Sequence, residues 1–268
     1  MNTSVAENKS EYSIDSTQFT ERRSGFLRQI LGGVFMAITF SIHALLLVAI
    51  LPSRIARLRA TSLFARFVGK ILVLISGCPV AVNGREKLVQ NKPAIYIANH
   101  TSAFDLLVAM WLMPYGTSGV AKRQILYIPF FGLVYLLSGH LIVNRGNTNK
   151  SIESMNRLVK LVKKHNLSIF IWPEGTRSRD GKLQEFKKGY IHLARQTGLP
   201  VVPFLITGCH QVWKPGKHTF HRNLVTVNVL DHIDTSNWPN RPVDAINTET
   251  HQCFEQNLPA DLVPPKAA

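Results

Sequence analysis

The segment Ala94-Ile-Tyr-Ile-Ala-Asn-His-Thr-Ser-Ala-Phe-Asp105 joins a strand pattern directly to a helix pattern. Its first part, Ala94 to Ala98, is an apolar run typical of a short buried strand. Ser102 is followed three residues later by Asp105, which has the form of a capping box and predicts a helix with Ser102 as its N-cap. His100 therefore lies on the turn between the two elements, beyond the carboxyl end of a strand, where open α/β sheets usually place their chemistry.

The spacing of His100 and Asp105 lets their side chains meet only if the chain turns between them. Along a continuous helix, five residues correspond to about 500°, so the two side chains would point well apart. With His100 on the turn and Asp105 in the first turn of the helix, the carboxylate can fold back onto the imidazole, and the helix dipole favours its negative charge. Asp105 could then hold one ring nitrogen and leave the other as a base. Alternatively, Ser102 and Asp105 only cap the helix, and His100 is an ordinary turn residue.

A second motif, Pro173-Glu-Gly-Thr-Arg-Ser178, follows the buried-strand pattern Ser168 to Trp172. Gly175 allows a ligand to approach the backbone closely. Thr176 offers a hydroxyl group, and Arg177 offers a planar guanidinium group suited to phosphate. Taken alone, the motif could equally be a tight turn with a surface arginine.

The first motif is Asn99-His100-x-x-x-x-Asp105, and Pro173 to Ser178 follows it about 70 residues later. This pair of motifs in this order resembles the glycerolipid acyltransferase family. The resemblance is closest to the 1-acyl-sn-glycerol-3-phosphate acyltransferases, which make phosphatidic acid. Two lesser family motifs fit Gly139 to Gly146 and Leu199 to Pro203, and the resemblance covers roughly residues 60 to 230. Any one of these motifs alone would be weak, whereas together they are specific.

The resemblance implies a catalytic pair and an acceptor site. The catalytic residues are then His100 and Asp105, and the substrate-binding residues are Arg145, Glu174, Gly175, Thr176 and Arg177. Arg145 would share the acceptor phosphate with Arg177, and Glu174 would bind glycerol hydroxyls or orient Arg177. The family often has Asp where this chain has Asn144, a departure that concerns local hydrogen bonding more than Arg145.

The same resemblance implies direct acyl transfer to lysophosphatidic acid. His100 would remove the proton of the acceptor hydroxyl as it attacks the thioester of acyl-CoA or acyl-carrier protein, and backbone N–H groups near Ser102 are expected to bind the oxyanion. No metal ion or bound cofactor is expected, and the histidines show no standard zinc spacing. Two alternatives remain: an acyltransferase for another lysolipid, such as a lyso-ornithine lipid, and a non-catalytic protein that binds anionic membranes.

The chain has 268 residues and a formal net charge of +15, which is concentrated in its middle. Residues 21 to 228 carry 28 basic and 7 acidic residues, so we expect an anionic partner: a membrane surface, a phosphate-bearing substrate or nucleic acid. No nucleic-acid-binding motif, Gly-x-Ser-x-Gly elbow, P-loop or Rossmann glycine pattern occurs, which argues against those classes. The three cysteines are far apart in sequence, which favours a reducing compartment over a disulfide framework.

The sequence predicts a disordered polar tail (1–25) and membrane-anchoring helices (26–78), and the resemblance implies an acyltransferase domain over 79–268. The run Ile30 to Leu51 has no charged residue and is long enough to span a bilayer, with a buried core helix as the alternative. The arginines after this run predict that the acyltransferase domain is cytoplasmic, at what we expect to be a bacterial inner membrane. Leu63 to Ile75 predicts an amphipathic helix that lies in the membrane interface or packs on the domain core.

From Val80 onward, strand and helix patterns alternate. This order predicts an α/β fold with a mostly parallel sheet flanked by helices, preceded by one or two N-terminal membrane-associated helices. The predicted strands are Val80 to Val82, Ala94 to Ala98, Ser118 to Ala121, Leu141 to Val143, Ser168 to Trp172, Val201 to Ile206 and Leu224 to Leu230. The predicted helices are Ala103 to Leu112, Ile128 to Leu137, Ser151 to Lys164, Gly189 to Thr197 and Val243 to Gln256. The apolar segment Tyr127 to Leu137 either lines an acyl-chain groove or belongs to the core.

Overall fold

A computed structural model of the chain describes residues 25–88, 93–143, 148–217 and 219–265. Its helices are α1 (Phe26–Ala49), α2 (Arg54–Ser76), α3 (Phe104–Leu112), α4 (Phe131–Ser138), α5 (Thr148–His165), α6 (Gly189–Thr197), α7 (Cys209–Val212) and α8 (Val243–Asn257). Its strands are β1 (Val80–Asn83), β2 (Ile95–Ala98), β3 (Thr117–Lys122), β4 (Leu141–Val143), β5 (Ser168–Ile171), β6 (Val201–Thr207) and β7 (Val225–Val229). Of the tail predicted at residues 1 to 25, all but Gly25 lies outside the described residues.

The seven strands form one sheet in the order β1-β7-β6-β2-β5-β3-β4. All neighbouring pairs are parallel except β6 with β7, which is antiparallel. The predicted α/β fold with a mostly parallel sheet is therefore confirmed. Strand β2 lies at the centre, where Ile97 is level with Ile171 of β5 and Pro203 of β6. Because these three strands run the same way, the segments that follow them meet at one edge of the sheet.

Strand β2 is buried on both faces, as expected for a central parallel strand covered by helices. On one face Ile95 and Ile97 join a cluster that includes residues of α5, α6 and α8. On the other face Tyr96 and Ala98 pack in a cluster with Phe104 at the start of α3. The apolar run that predicts this strand therefore reflects burial on both faces.

Helix α1 has one buried side and one exposed apolar side. Phe40, Ala44 and Leu47 point inward and pack with residues of α2 and α4, whereas Ile42 and Leu45 are exposed. Among the described helices, α1 is the one long and apolar enough to cross a membrane, judged by length and composition. Its exposed apolar side does not fit the alternative of a buried core helix and supports a membrane association.

Helix α2 combines the two roles that its sequence left open. Val68 and Leu72 are buried, whereas Leu63 and Phe67 of the same predicted face are exposed. The helix crosses α3 closely at Gly69, where an added Cβ would come within 2.7 Å of the backbone nitrogen of Trp111. One part of the predicted apolar face therefore packs on the domain, and the other part remains exposed.

Helix α4 begins at Phe131, although the sequence predicts a start at Ile128. The residues before it form a short 3-10 helix, Arg123–Tyr127, and then a tight turn. In that turn the N–H of Phe131 donates to the carbonyl oxygen of Pro129 over 2.6 Å, and Phe130 has a φ of 60°. This is the geometry of a classic γ-turn, which a helix cannot accommodate.

Candidate active site

The turn after β2 is fixed to β6 by the side chain of Asn99. The amide Nδ2 donates to the carbonyl oxygen of Ile206 over 2.8 Å, and Oδ1 accepts from the N–H of the same residue over 2.8 Å. Asn99 is only 2% exposed. This paired contact ties the turn to both main-chain groups of Ile206 in β6, so it fixes where the chain leaves the sheet next to His100.

Helix α3 is assigned from Phe104, one residue later than predicted, but Ala103 already has helical dihedrals and Ser102 makes the contacts of the predicted capping box: its Oγ accepts from Phe104 and its N–H donates to Asp105. Ser102 still serves the helix start, since its Oγ accepts from the N–H of Phe104 over 3.1 Å and donates to the carbonyl oxygen of Trp213 over 2.7 Å. Asp105 lies in the first turn, as the sequence predicts. The predicted capping box of Ser102 and Asp105 is therefore present.

Asp105 is completely buried and gathers three donors on one oxygen. Its Oδ2 lies 3.0 Å from Nδ1 of His100, 2.6 Å from the N–H of Thr101 and 2.8 Å from the N–H of Ser102. With an ionised carboxylate at this position, Nδ1 of His100 carries the proton and Nε2 is left as the acceptor. The contact expected from the spacing of the two residues is therefore present.

Three of the main-chain N–H groups near the start of α3, where oxyanion donors are expected, are engaged in other hydrogen bonds. The N–H groups of Thr101 and Ser102 both donate to Asp105, and that of Phe104 donates to the Oγ of Ser102. The prediction is wrong for these three groups, because each already has an acceptor within the turn.

Glu174 joins the two motifs. Its Oε1 accepts from the backbone N–H of His100 over 2.8 Å, and its Oε2 accepts from Nε2 of Gln184 over 2.9 Å. The same Gln184 nitrogen also donates to the carbonyl oxygen of Thr176 over 3.0 Å. Among the described residues Glu174 makes no ion pair with Arg177, so the interpretation that it orients Arg177 does not match this geometry.

Burial has a strong effect on the acidity of Glu174, which is 3% exposed. Desolvation raises the pKa of its carboxyl group to about 8, and the charge of Asp105 adds to this rise. Hydrogen bonds from His100 and Gln184 act in the opposite direction but are outweighed. The carboxyl group is held as a fixed acceptor inside the loop, at some energetic cost to its charged form.

The imidazole of His100 is also held by an aromatic ring. Trp172 stacks on it with ring centroids 4.3 Å apart and ring planes 18° apart, and Phe170 contacts the indole edge-on at 4.6 Å. The imidazole side chain is 15% exposed. Asp105 and Trp172 together leave the ring little freedom to rotate.

The face of His100 opens into a cleft of about 670 Å³. Three of the predicted substrate-binding residues, Gly175, Thr176 and Arg177, line this cleft, and Gly175 has a φ of 73° that favours glycine. Lys122, Lys187 and aliphatic residues such as Val143 and Ile171 also line the cleft. The site is therefore a basic cleft with the imidazole of His100 in its wall.

Arg145 cannot be placed in this cleft from the structure. Residues 144–147, which also include Asn144, lie outside the described residues. The role of Arg145 in binding phosphate therefore stays a prediction. Lys188, which follows the cleft residue Lys187 in the sequence, pairs with Asp244 on α8.

An apolar cavity of about 110 Å³ lies behind the cleft, between α1, α2, α3, α4 and the sheet. Leu106, Ile125 and Trp172 line both spaces, so the two share a wall. From the predicted apolar segment, Phe131 and Tyr135 line the cavity, which fits the acyl-groove interpretation for these residues. By contrast, Pro203 of the motif Leu199 to Pro203 lies within the buried strand β6, which fits a structural role.

Three contributors to the site have no role assigned from the sequence. They are the Asn99 bridge to β6, the Trp172 stack and the Gln184 contacts. Asn99 lies within the first motif and Trp172 directly precedes Pro173 of the second, so their position in the chain is a usable signal. Gln184 lies ten residues beyond Glu174 in a segment without helix or strand pattern, and no local signal marks it.

Comparison with known proteins agrees with this site. The Acyltransferase family model matches residues 79–207. A 1-acyl-sn-glycerol-3-phosphate acyltransferase of Limnanthes douglasii is 39% identical over 227 residues, which are 85% of this chain and 80% of the relative. One of Escherichia coli (strain K12) is 35% identical over 165 residues, which are 62% of this chain and 66% of the relative.

A solved structure has the same fold. The crystal structure of the 1-acyl-sn-glycerophosphate (LPA) acyltransferase PlsC from Thermotoga maritima superposes with a TM-score of 0.63 at 19% identity, covering 87% of this chain and 98% of that protein. The similarity to the Limnanthes relative covers most of both chains at an identity that shows common membership. The chain belongs to the 1-acyl-sn-glycerol-3-phosphate acyltransferase family.

Proposed function

We propose that this protein transfers an acyl group from an acyl thioester to the free hydroxyl of 1-acyl-sn-glycerol-3-phosphate, giving phosphatidic acid for phospholipid synthesis. The observation that carries the proposal is the contact between Nδ1 of His100 and the buried Asp105, which leaves Nε2 as an acceptor at a basic cleft. The relatives at 35% to 39% identity are named for this acceptor.

His100 acts as the general base in this proposal. Its Nε2 takes the proton of the acceptor hydroxyl while the oxygen attacks the thioester carbonyl, and Asp105 stabilises the imidazolium that forms. The new carbon–oxygen bond replaces the carbon–sulfur bond, and the leaving thiolate takes the proton back from His100. The reaction is complete without an acyl-enzyme, a metal ion or a bound cofactor.

The acceptor phosphate is bound by arginine. Arg177 is exposed at the cleft beside Thr176, and Lys187 lines the same space. We assign Arg145 as a second phosphate ligand, because it comes two residues after β4 in the sequence, and the carboxyl ends of β4 and β5 lie at the same edge of the sheet. A guanidinium group binds two phosphate oxygens at once, which gives this site its geometry.

The acyl donor is acyl-CoA or acyl-carrier protein. The apolar cavity that shares Trp172 and Leu106 with the cleft is suited to an acyl chain. Both donors present a thioester at the end of a flexible arm, so the open cleft accommodates either one.

The protein works at a membrane in this proposal. Helix α1 provides the anchor, and Arg54, Arg57 and Arg59 follow it without an intervening acidic residue. That excess of positive charge favours a catalytic domain on the cytoplasmic face of a bacterial inner membrane.

An acceptor panel tests the proposed function. Purified full-length protein would be assayed with labelled acyl-CoA and labelled acyl-carrier protein against 1-acyl-sn-glycerol-3-phosphate, 1-acylglycerol and a lyso-ornithine lipid. We expect turnover of the phosphate acceptor, abolished by His100→Ala and unaffected by His192→Ala, an exposed control on α6. If the protein prefers the lyso-ornithine lipid, that lipid replaces 1-acyl-sn-glycerol-3-phosphate as the proposed acceptor. If no acceptor is acylated, a non-catalytic membrane-binding protein is favoured.

A further inference from the structure

A second apolar surface lies beside α1, on and just before α4. Five large side chains are between 47% and 77% exposed there. We call this surface the α4 face, and it consists of Tyr127, Ile128, Phe130, Leu133 and Leu136. No charged residue interrupts it from Tyr127 to Ser138. Large exposed apolar side chains grouped on one short segment are typical of an interaction site.

Helix α4 is apolar all the way round. Its inner side packs through Val134 and Phe131, whose ring lies 5.7 Å from that of Phe40 in α1. Its outer side carries Leu133 and Leu136, spaced three residues apart and both exposed. A helix with two apolar sides is typical of an apolar environment on both sides.

A strained turn holds one member of the α4 face outward. Phe130 has a φ of 60° and lies at the centre of the γ-turn closed by Phe131 and Pro129. A phenylalanine rarely adopts this backbone conformation, and such strain persists only where the surroundings enforce it. The backbone strain at Phe130 accompanies a large apolar ring that is 48% exposed.

The carboxyl end of α4 is hydrogen-bonded to the start of α2, which follows the candidate membrane helix α1. Arg54 donates through Nε to the carbonyl oxygen of Gly139 over 3.0 Å, and Arg57 donates through Nη1 to that of Leu137 over 2.9 Å. Both arginines begin α2, just after α1 ends. The carboxyl end of α4 is thus level with the end of α1, where arginines suit lipid headgroups.

We propose that the α4 face inserts into the lipid bilayer beside α1 and forms the edge over which the lysolipid passes from the bilayer into the catalytic cleft. Ile128 provides the connection, since it belongs to the α4 face and also lines the cleft that contains His100. The acyl chain of the acceptor then stays in contact with apolar side chains while its phosphate reaches Arg177. This inference rests on the proposed acceptor.

Depth-dependent quenching tests the insertion directly. Leu133→Cys, in a Cys253→Ser background that removes the half-buried thiol, would carry an environment-sensitive fluorophore in proteoliposomes containing lipids with a quencher on the acyl chain. We expect a blue shift and strong quenching at position 133 and neither at Thr248→Cys, an exposed control on α8. Equal, weak quenching at the two positions would overturn the insertion.

Kinetics with two forms of the acceptor test the entry route. We expect the Leu133→Glu/Leu136→Glu double variant to raise the KM for long-chain acceptor in vesicles by about tenfold, because charges are costly in the bilayer. Activity on a short-chain, water-soluble acceptor should be unchanged, and Thr248→Glu should change neither. If the double variant is active and its kinetics with vesicles are unchanged, the entry route is overturned. A loss of activity only when acyl-carrier protein is the donor would also overturn the route, because the α4 face would then be a docking site for that carrier. Wild-type protein inactive on both acceptors would instead refute the proposed function.

Discussion

The main-chain N–H of His100 donates to Oε1 of Glu174 over 2.8 Å, so the carboxyl group of one motif holds the backbone of the other. The carbonyl oxygen of His100 in turn accepts from the N–H of Ser178 over 2.8 Å. Both main-chain groups of the proposed base are therefore bound by the loop after β5. Since Asp105 and Trp172 hold its ring, His100 is positioned before any substrate binds, which lowers the cost of reaching the reactive geometry.

An exchange of partners tests this positioning role of Glu174. Glu174→Gln can still accept from His100, but it turns an amide N–H group towards the donor Nε2 of Gln184. We expect kcat to fall about 10- to 100-fold with little change in KM, which corresponds to an unsatisfied buried donor. Adding Gln184→Glu restores the donor–acceptor pair between positions 174 and 184 but removes the donor to the carbonyl oxygen of Thr176, so kcat should recover only in part. A rise in acceptor KM without rescue would instead place Glu174 on the glycerol hydroxyls.

The raised pKa of Glu174 gives a stability test with a definite sign. Burial lifts its pKa from 4.5 to about 8, so the folded state holds this proton more tightly than the unfolded state. The resulting stabilisation is complete below about pH 4.5 and is lost as the pH rises towards about 8. We expect the free energy of unfolding to decrease less between pH 5 and pH 8 in Glu174→Gln than in the wild type. Urea unfolding at both pH values measures this change. An equal decrease in the free energy of unfolding in the two proteins would contradict the prediction.

The sequence predicts the contacts that are local or periodic. Ala94 to Ala98 form a strand because both faces of it are buried, and His100 reaches Asp105 because only a turn separates them. The Glu174 contact joins residues 74 positions apart. It depends on β2 and β5 being neighbours, which no pattern in either strand specifies.

The start of α4 differs from its prediction for a different reason. The apolar periodicity continues from Ile128 into the helix, so a helix from that residue is the natural expectation. The γ-turn at Phe130 interrupts it, and phenylalanine carries no signal for a positive φ. Arg145, on which half of the phosphate clamp depends, is outside the described residues and remains a prediction from the sequence.

Asp105 and His100 should behave as one catalytic unit. Asp105→Asn fits the same buried space but cannot stabilise an imidazolium, so we expect kcat/KM to fall by about 10²- to 10⁴-fold. His100→Ala should cost at least as much. The double variant should be no worse than His100→Ala, because residues that act together are strongly non-additive. Steady-state kinetics of the three variants decides this, and multiplicative losses would mean that Asp105 acts independently of His100.

Trp172 should contribute through its ring face. It stacks on His100 at 4.3 Å, and an aromatic face stabilises a cation above it. We expect Trp172→Leu to lower kcat about 2- to 30-fold and Trp172→Phe to lower it less. A matched measurement of acceptor KM separates this effect from damage to the cleft wall. Equal kcat values for the two variants would argue against a role of the ring.

Arg177 can be tested through the group it is proposed to bind. Arg177→Lys keeps the charge but replaces a bidentate fork with a point charge, so we expect kcat/KM for 1-acyl-sn-glycerol-3-phosphate to fall about tenfold or more. Arg179→Lys provides the matched control, since Arg179 is exposed two residues away and does not line the cleft.

The loss at Arg177 should depend on the acceptor phosphate. With 1-acylglycerol, which keeps the hydroxyl but lacks the phosphate, the wild type should already be slow and Arg177→Lys should hardly slow it further. Four kinetic constants, from two proteins and two acceptors, give the coupling between the residue and the phosphate. Equal losses with both acceptors would mean that Arg177 supports the loop that holds His100 and does not bind phosphate. In that case an acceptor without phosphate, such as a lyso-ornithine lipid, becomes the better candidate.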